Sequence, residues 1–157
     1  MNGKYDSTED TNSHINRVED LLILFSLELQ HRGRVHDKSK LQSPEKELFD
    51  EYTPKLKGCT YGSDEYKSFL KELQVALEHH YANNSHHPEH WENGMADMTL
   101  MDIVEMLADW KAASERHADG DILKSIEINQ ERFGYPDMLK QIFINTAKKA
   151  GWTTIEN

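Results

Sequence analysis

Apolar residues recur at helical spacing along most of the chain, and this periodicity limits the possible fold more than any other feature. No segment of strand length alternates between apolar and polar residues. The clearest stripe belongs to a first helix expected from Asn12 or Ser13 to Arg32 and consists of Ile15, Val18, Leu21, Leu22, Phe25 and Leu29. The sequence therefore predicts an all-α protein.

Capping and breaking residues divide the rest of the chain into further helices. Gly33 is expected to end the first helix, and Ser43-Pro44 to open the third. A loop at Gly58–Ser63 and an irregular stretch from Asn83 to Met98 separate later helices. The other predicted helices cover Val35–Leu41, Pro44–Lys57, Ser63 or Asp64 to Tyr81, Thr99–Arg116, Asp121–Phe133 and Pro136–Ala150. We expect one compact domain over residues 1–157, a bundle of about six or seven helices, with residues 1–11 as a flexible segment.

Charge and apolar content limit the partners. A net charge of −10 argues against duplex nucleic acid or an anionic membrane as the main partner, because both are themselves negative. No apolar run approaches the roughly 18 residues of a membrane span, and the polar stretch Met1–Asn12 lacks the apolar core of a signal peptide. We expect a cytoplasmic protein, in a bacterium or a phage-infected host cell. Self-association into a homo-oligomer is left open.

The single cysteine, Cys59, excludes an internal disulfide and a Cys-based zinc site. Any metal must then be held by histidine and carboxylate side chains, and the chain has nine histidines. The adjacent pair His36-Asp37 can offer an imidazole and a carboxylate to one ion. His14 shares the apolar stripe of the first helix, so we expect it to face the core, either as a ligand or hydrogen-bonded to a backbone carbonyl.

Three carboxylates share one face of the helix predicted after Thr99, because Asp102, Glu105 and Asp109 are spaced i, i+3, i+7. Like charges on one face repel each other unless cations lie opposite, although a solvated acidic face would tolerate them. The sequence favours a metal-facing surface with either Asp102 or Asp109 as the ligand. Asp109 is preferred, because Trp110 and the alanines that follow place it in the middle of the helix.

Five histidines fall within thirteen residues, HHYANNSHHPEHW, from His79 to Trp91. His80 lies on the apolar stripe of its helix and is the inward member of its pair, whereas His86 and His87 follow in a loop. We keep both as ligand candidates, beside the alternative of a surface histidine patch. Asn84 can hydrogen-bond the loop backbone or a ligand oxygen. This N/O set suits one or two divalent transition ions, Mn, Co, Fe, Ni or Zn.

These residues resemble the HD-domain metal-dependent phosphohydrolases, an all-α superfamily whose ligands run His, His-Asp and a distal Asp. His14, His36, Asp37 and Asp109 match that order, and the stretch His36-Asp37-Lys38-Ser39-Lys40 is similar to the superfamily's His-Asp-x-x-Lys pattern. The resemblance implies that Lys40 meets a phosphate and that His80 with His86 or His87 completes a two-metal site. The strings HDKSKL, NSHHPEHW and MTLMDIVEMLADW further resemble a small bacterial and phage family of unknown function, from about Asn12 to Ala113.

The expected activity is hydrolysis of a phosphate ester or anhydride, in a nucleotide or a similar small molecule, by a metal-activated water. Asp37, Lys40 and Glu105 are expected to carry the chemistry, with Glu105 either orienting a ligand or acting as general base. The residues predicted to contact substrate are Lys40, Arg17, Asn84 and Arg116. Two other interpretations stay open. One is a metal-stabilised helical binding protein without turnover, which a chelation experiment would distinguish from an enzyme. The other is oxygen chemistry at a di-iron site.

Overall fold

The computed structural model describes residues 5–58, 64–116 and 120–153. Within them the chain forms seven α-helices and no strand, which confirms the all-α prediction. The helices are α1 (Thr8–Val35), α2 (Glu45–Gly58), α3 (Asp64–Glu72), α4 (Gln74–Asn83), α5 (Leu100–Ser114), α6 (Ile122–Phe133) and α7 (Asp137–Lys149). Among the described residues, no helix combines the length and the apolar character that crossing a bilayer requires. Cys59, most of the predicted loop at 58–63 and His117 lie outside the described residues.

The chain divides into two compact units, Met1–Val35 and His36–Asn157. In the first unit, α1 begins at Thr8 rather than at Asn12 or Ser13, so the described part of the predicted flexible segment is helical from that residue. The Asp6 carboxylate stabilises this earlier start, because it accepts hydrogen bonds from the Thr8 backbone N–H at 3.0 Å and from the Thr8 hydroxyl at 2.6 Å.

α1 has no buried residue. The expectation that His14 faces a core is therefore wrong: its side chain is exposed, as are its stripe neighbours Ile15 and Val18. The physical reason is that this unit consists of one helix, and a single helix has no interior in which to bury an apolar stripe.

The second unit opens on a turn rather than on the predicted helix from Val35 to Leu41. α1 runs through Gly33 to Val35, and the chain then turns at Asp37, whose φ of 55° lies in the left-handed region. A short 3-10 helix, Lys38–Leu41, follows, and α2 begins directly after Ser43-Pro44, close to the prediction. Asp is one of the few non-glycine residues that tolerate a left-handed backbone, which is why the break falls there.

The helix predicted to run to Tyr81 is divided at Leu73 into α3 and α4. Its predicted inward face is nevertheless confirmed, since Leu73, Ala76 and His80 are buried and Phe69 is half-buried. The region from Asn84 to Thr99 is irregular apart from two short 3-10 helices, Pro88–His90 and Gly94–Asp97.

The apolar core of the second unit lies among α5, α6 and α7. Its buried members are Met106, Leu107, Ile122, Ile126, Tyr135, Phe143 and Ala147. Local capping sets the helix ends: Thr99 and Asp102 form a capping box at the start of α5, and Asp121 caps α6. Gly134 ends α6 with a φ of 66°. Met106 and Leu107 anchor one side of α5 in the core, and this packing fixes the position of Glu105 and Asp109 on the same helix.

Candidate metal centre

Four segments of the second unit bring histidines and carboxylates together. His36 and Asp37 come from the turn before the first 3-10 helix, and His80 comes from the last turns of α4. The loop after α4 provides His86 and His87, and α5 provides Glu105 and Asp109. We call these seven residues the histidine cluster. Among the described residues, they are all the members of three potential metal-binding groups.

The Asp37 carboxylate lies at the centre of the cluster. Its Oδ1 atom is 3.3 Å from Nε2 of His80 and 3.5 Å from Nε2 of His86. Its Oδ2 atom is 3.6 Å from Nε2 of His36. The two oxygens therefore face two groups of potential ligands: His80, His86 and His87 on one side, and His36 and Asp109 on the other.

The spacing between these atoms fits ligands around an ion. Nε2 of His80 lies 2.9 Å from Nε2 of His87, and Nε2 of His36 lies 3.5 Å from Oδ1 of Asp109. Neighbouring atoms that coordinate a transition ion at about 2.0–2.2 Å lie roughly 2.8–3.6 Å from one another, from octahedral to tetrahedral geometry.

Two atoms of the cluster, Oδ1 of Asp37 and Nε2 of His86, are buried and have no hydrogen-bond partner among the described residues. A buried polar atom left unpaired costs about 1–3 kcal/mol, so such atoms call for a partner. Imidazole nitrogens and a carboxylate that converge on one point are the donors a divalent transition ion prefers. The residues present therefore fit such an ion.

Carboxylates lie behind the imidazoles, on the side away from Asp37. Oε1 of Glu105 is 2.9 Å from Nδ1 of His36 and 3.2 Å from Nδ1 of His86. Oε2 of Glu45 is 2.8 Å from Nδ1 of His80. A carboxylate that accepts the Nδ1 proton leaves the Nε2 lone pair free for a metal and holds the ring in orientation. Glu105 thus occupies the position of a residue that orients ligands, one of its two predicted roles.

The charged groups of the cluster shift one another's pKa values. Hydrogen bonds to Asp109 and Glu105 raise the pKa of His36 to about 10. Burial raises the pKa of the Asp37 carboxyl, but the Lys40 ammonium, with its Nζ 2.6 Å from Oδ2, and the positive charge of His36 bring it well below its usual range. Burial and the adjacent histidines lower the pKa of His87 to about 3, so its imidazole is neutral at ordinary pH and offers a lone pair.

The structure distinguishes the two acids that the sequence left open. Asp102 is buried as a capping residue, where its carboxylate accepts hydrogen bonds from the Thr99 backbone N–H at 2.8 Å and from the Ser85 hydroxyl at 2.6 Å. Asp109, two turns later on α5, faces His36. Of the two candidate loop histidines, both His86 and His87 belong to the cluster.

The residues predicted to contact substrate do not all belong to the second unit. Arg17, like the predicted ligand His14, belongs to the first unit. Arg116 is exposed beyond the end of α5. Asn84 is buried, and its amide nitrogen donates to the Ser39 hydroxyl at 2.8 Å and to the His80 carbonyl at 2.7 Å. Through these hydrogen bonds Asn84 links the first 3-10 helix to α4. Its contact with substrate stays a prediction.

Sequence reasoning missed Glu45 and Ser39. Glu45 is fully buried and contacts both His79 and His80, while the Ser39 hydroxyl donates to Glu45 at 3.1 Å. An acid in the first turn of a helix is ordinary, because it offsets the helix dipole, so nothing in the local pattern marked Glu45. Only the folded chain brings it to the site, with its Oε2 atom 2.8 Å from Nδ1 of His80.

Comparison with known proteins identifies a family whose function is unknown. Residues 3–151 match the model of DUF5662, a family of unknown function. No curated protein and no solved structure matches the chain.

Proposed function

This chain belongs to DUF5662, a family of unknown function, and we propose that it is a metal-dependent phosphohydrolase acting on a nucleotide or a similar small phosphate ester. The observation that carries the proposal is the pair of buried, unpaired atoms, Oδ1 of Asp37 and Nε2 of His86, inside a set of converging imidazoles. Carboxylates on the Nδ1 side of three of those imidazoles support the same interpretation.

The residues present would hold one or two ions of Mn, Co, Fe, Ni or Zn. Two of the three groups would provide the ligands: one consists of Asp37, His80, His86 and His87, and a second of His36, Asp37 and Asp109. Asp37 belongs to both groups and has one oxygen directed to each. A bound divalent ion supplies a water of lowered pKa as the nucleophile and positive charge that screens a phosphate.

The chain's own residues would prepare the site and bind the anion. Glu105 and Glu45 hold three imidazoles with Nε2 directed inward. Lys40 is partly exposed, and its ammonium lies on Asp37, so it is the cation best placed to turn toward a phosphate oxygen. A chain with a net charge of −10 needs such local positive charge to bind an anionic substrate. The resemblance of His36-Asp37-x-x-Lys40 to the HD-domain pattern favours the same reaction class.

The proposal is tested first by the metal content of untagged protein purified without chelators, beside Asp37→Asn. We expect one or two transition ions per chain in the wild type and a loss in the variant. The loaded protein is then assayed for phosphate release from linear, cyclic and oligomeric nucleotides with Mn, Co and Zn. The proposal would be contradicted if the protein bound none of these ions. It would also be contradicted if the metal-loaded protein hydrolysed none of the substrates.

A second function, a metal-stabilised binding protein without turnover, is favoured by one observation. The interior around α2 and α4 is built largely from polar side chains, with Glu45, His80, Asn84 and His86 buried beside Leu73 and Ala76. Metal binding there would contribute to the folding free energy. Chelation separates the two functions. A protein that keeps its helix content but loses hydrolysis is an enzyme, whereas one that unfolds and hydrolyses nothing is held together by its ion.

A further inference from the structure

Glu45 is a fully buried carboxylate that binds two consecutive histidines of α4. Its Oε1 atom lies 2.7 Å from Nδ1 of His79, and its Oε2 atom lies 2.8 Å from Nδ1 of His80. We propose that Glu45 is a positioning residue that holds His80 as the Nδ1–H tautomer and thereby makes Nε2 of His80 available to a metal ion. This inference rests on the proposed function for its consequence, but not for the tautomer itself.

The hydrogens around His80 can be counted. The amide of Asn84 has two hydrogens, one directed to the His80 carbonyl at 2.7 Å and the other to the Ser39 hydroxyl at 2.8 Å. The hydroxyl of Ser39 has one hydrogen, which it donates to Oε2 of Glu45 at 3.1 Å.

No hydrogen of Asn84 or Ser39 is then left for Nδ1 of His80, although both groups lie within 3.2 Å of it. Nδ1 must itself be the donor, and Glu45 Oε2 is the acceptor. A neutral imidazole with its proton on Nδ1 has a lone pair on Nε2.

That lone pair is directed into the histidine cluster. Nε2 of His80 lies 3.3 Å from Oδ1 of Asp37, which is an acceptor without a hydrogen-bond partner. Two acceptors at this distance repel each other unless a cation lies between them. By fixing the His80 proton on Nδ1, Glu45 therefore leaves two acceptors facing each other, Nε2 of His80 and Oδ1 of Asp37, and a metal ion between them would remove their repulsion.

The variant Glu45→Gln tests the role because it keeps the shape and changes the hydrogen count. A Gln amide has one acceptor oxygen, so it cannot accept from both His79 and His80, and its NH₂ group can donate to Nδ1 of His80. That would move the His80 proton to Nε2 and remove the ligand. His79→Ala is the matched control, because it removes the partner of Oε1 and leaves the contact between Oε2 and His80.

The experiment has two readouts on the untagged full chain. Long-range ¹H–¹⁵N correlation spectra of the metal-free, histidine-labelled protein report the tautomer of His80. Competition with a chromophoric chelator reports Zn²⁺ affinity. We expect the Nδ1–H tautomer in the wild type and in His79→Ala. In Glu45→Gln we expect a shifted tautomer and about 10–100-fold weaker Zn²⁺ binding, against less than about 3-fold in His79→Ala.

A wild-type His80 that carries its proton on Nε2 would overturn the inference, as would Zn²⁺ affinity in Glu45→Gln equal to that of the wild type. If Glu45→Gln does not fold, the wild-type tautomer alone decides. If the wild type binds no Zn²⁺, Mn²⁺ or Co²⁺, the proposed function fails, while the tautomer of the metal-free protein still tests the role of Glu45.

Discussion

Nε2 of His80 and Nε2 of His87 face each other at 2.9 Å inside the second unit. Two imidazoles in this arrangement either share a proton or direct both lone pairs at a cation. Since Glu45 accepts a hydrogen bond from Nδ1 of His80 in the arrangement proposed above, we expect the second state when a metal ion is bound.

Metal binding should stabilise the fold through Asp37, whose two oxygens face both ligand groups. At a free Zn²⁺ concentration about 100 times Kd, binding adds about 2.7 kcal/mol to the free energy of unfolding. Thermal unfolding with and without the ion measures this gain. We expect Asp37→Asn to lose it and Asp50→Asn to keep it, because Asp50 is an exposed acid paired with Lys46. An equal gain in both variants would place the ion elsewhere.

Glu105→Gln should weaken metal binding rather than act on turnover alone, because Glu105 contacts the Nδ1 atoms of His36 and His86. The expected rise in Kd for the ion is about 10–100-fold. Activity at saturating metal is the companion measurement, and a drop in kcat of about 100-fold with Kd unchanged would instead indicate a general base. Glu115→Gln, an exposed position on the C-terminal side of the same helix, is the control.

Asp102 and Asp109 should separate stability from metal binding. Asp102→Ala removes the acceptor for the Thr99 N–H and the Ser85 hydroxyl, so we expect a loss of about 1–3 kcal/mol in unfolding free energy. Its metal content should match that of the wild type. Asp109→Asn should show the reverse, with reduced metal content and a smaller change in stability of the metal-free protein. Urea unfolding and elemental analysis of both variants test the assignment, which fails if Asp102→Ala loses the ion.

Ionisation of Tyr135 should lower the free energy of unfolding at alkaline pH. Its hydroxyl donates to the Ile126 carbonyl in the core, and burial raises the pKa of Tyr135 to about 12. The unfolded chain has a tyrosine pKa of about 10, so this stabilisation is complete below pH about 10 and is lost as the pH rises through about 12.

Tyr135→Phe should therefore lose about 0.5–1.5 kcal/mol at pH 7 and show a weaker fall in stability between pH 10 and 12. Urea unfolding across that range measures both effects. Tyr52→Phe, at a half-buried position outside this core, should behave like the wild type. A Tyr135→Phe variant with the wild-type alkaline slope would show that another group causes the fall in stability.

Local signals located the second half of the fold. Thr99 and Asp121 cap their helices through contacts two or three residues away, and Gly134 ends α6 in a conformation that glycine adopts readily. The same reasoning failed at Leu73, where a helix with unbroken periodicity is divided, and at Thr8, where Asp6 caps an earlier start. A periodic pattern shows which face of a helix is apolar, but it contains little information about where the helix begins or is interrupted.

The sequence by itself determined the helical class and the chemistry of the candidate ligands, because side-chain type and helical spacing are local properties. It did not decide which acid would face His36, or that His14 is exposed, or that Glu45 would lie behind His80. Those outcomes depend on contacts between distant segments: His36 and Glu105 are 69 residues apart, and Glu45 and His80 are 35 apart. Asp102 and Asp109 lie on one helix. The local capping box with Thr99 and the tertiary contact with Ser85 keep Asp102 in a cap, whereas the position of His36 in space brings Asp109 to the cluster.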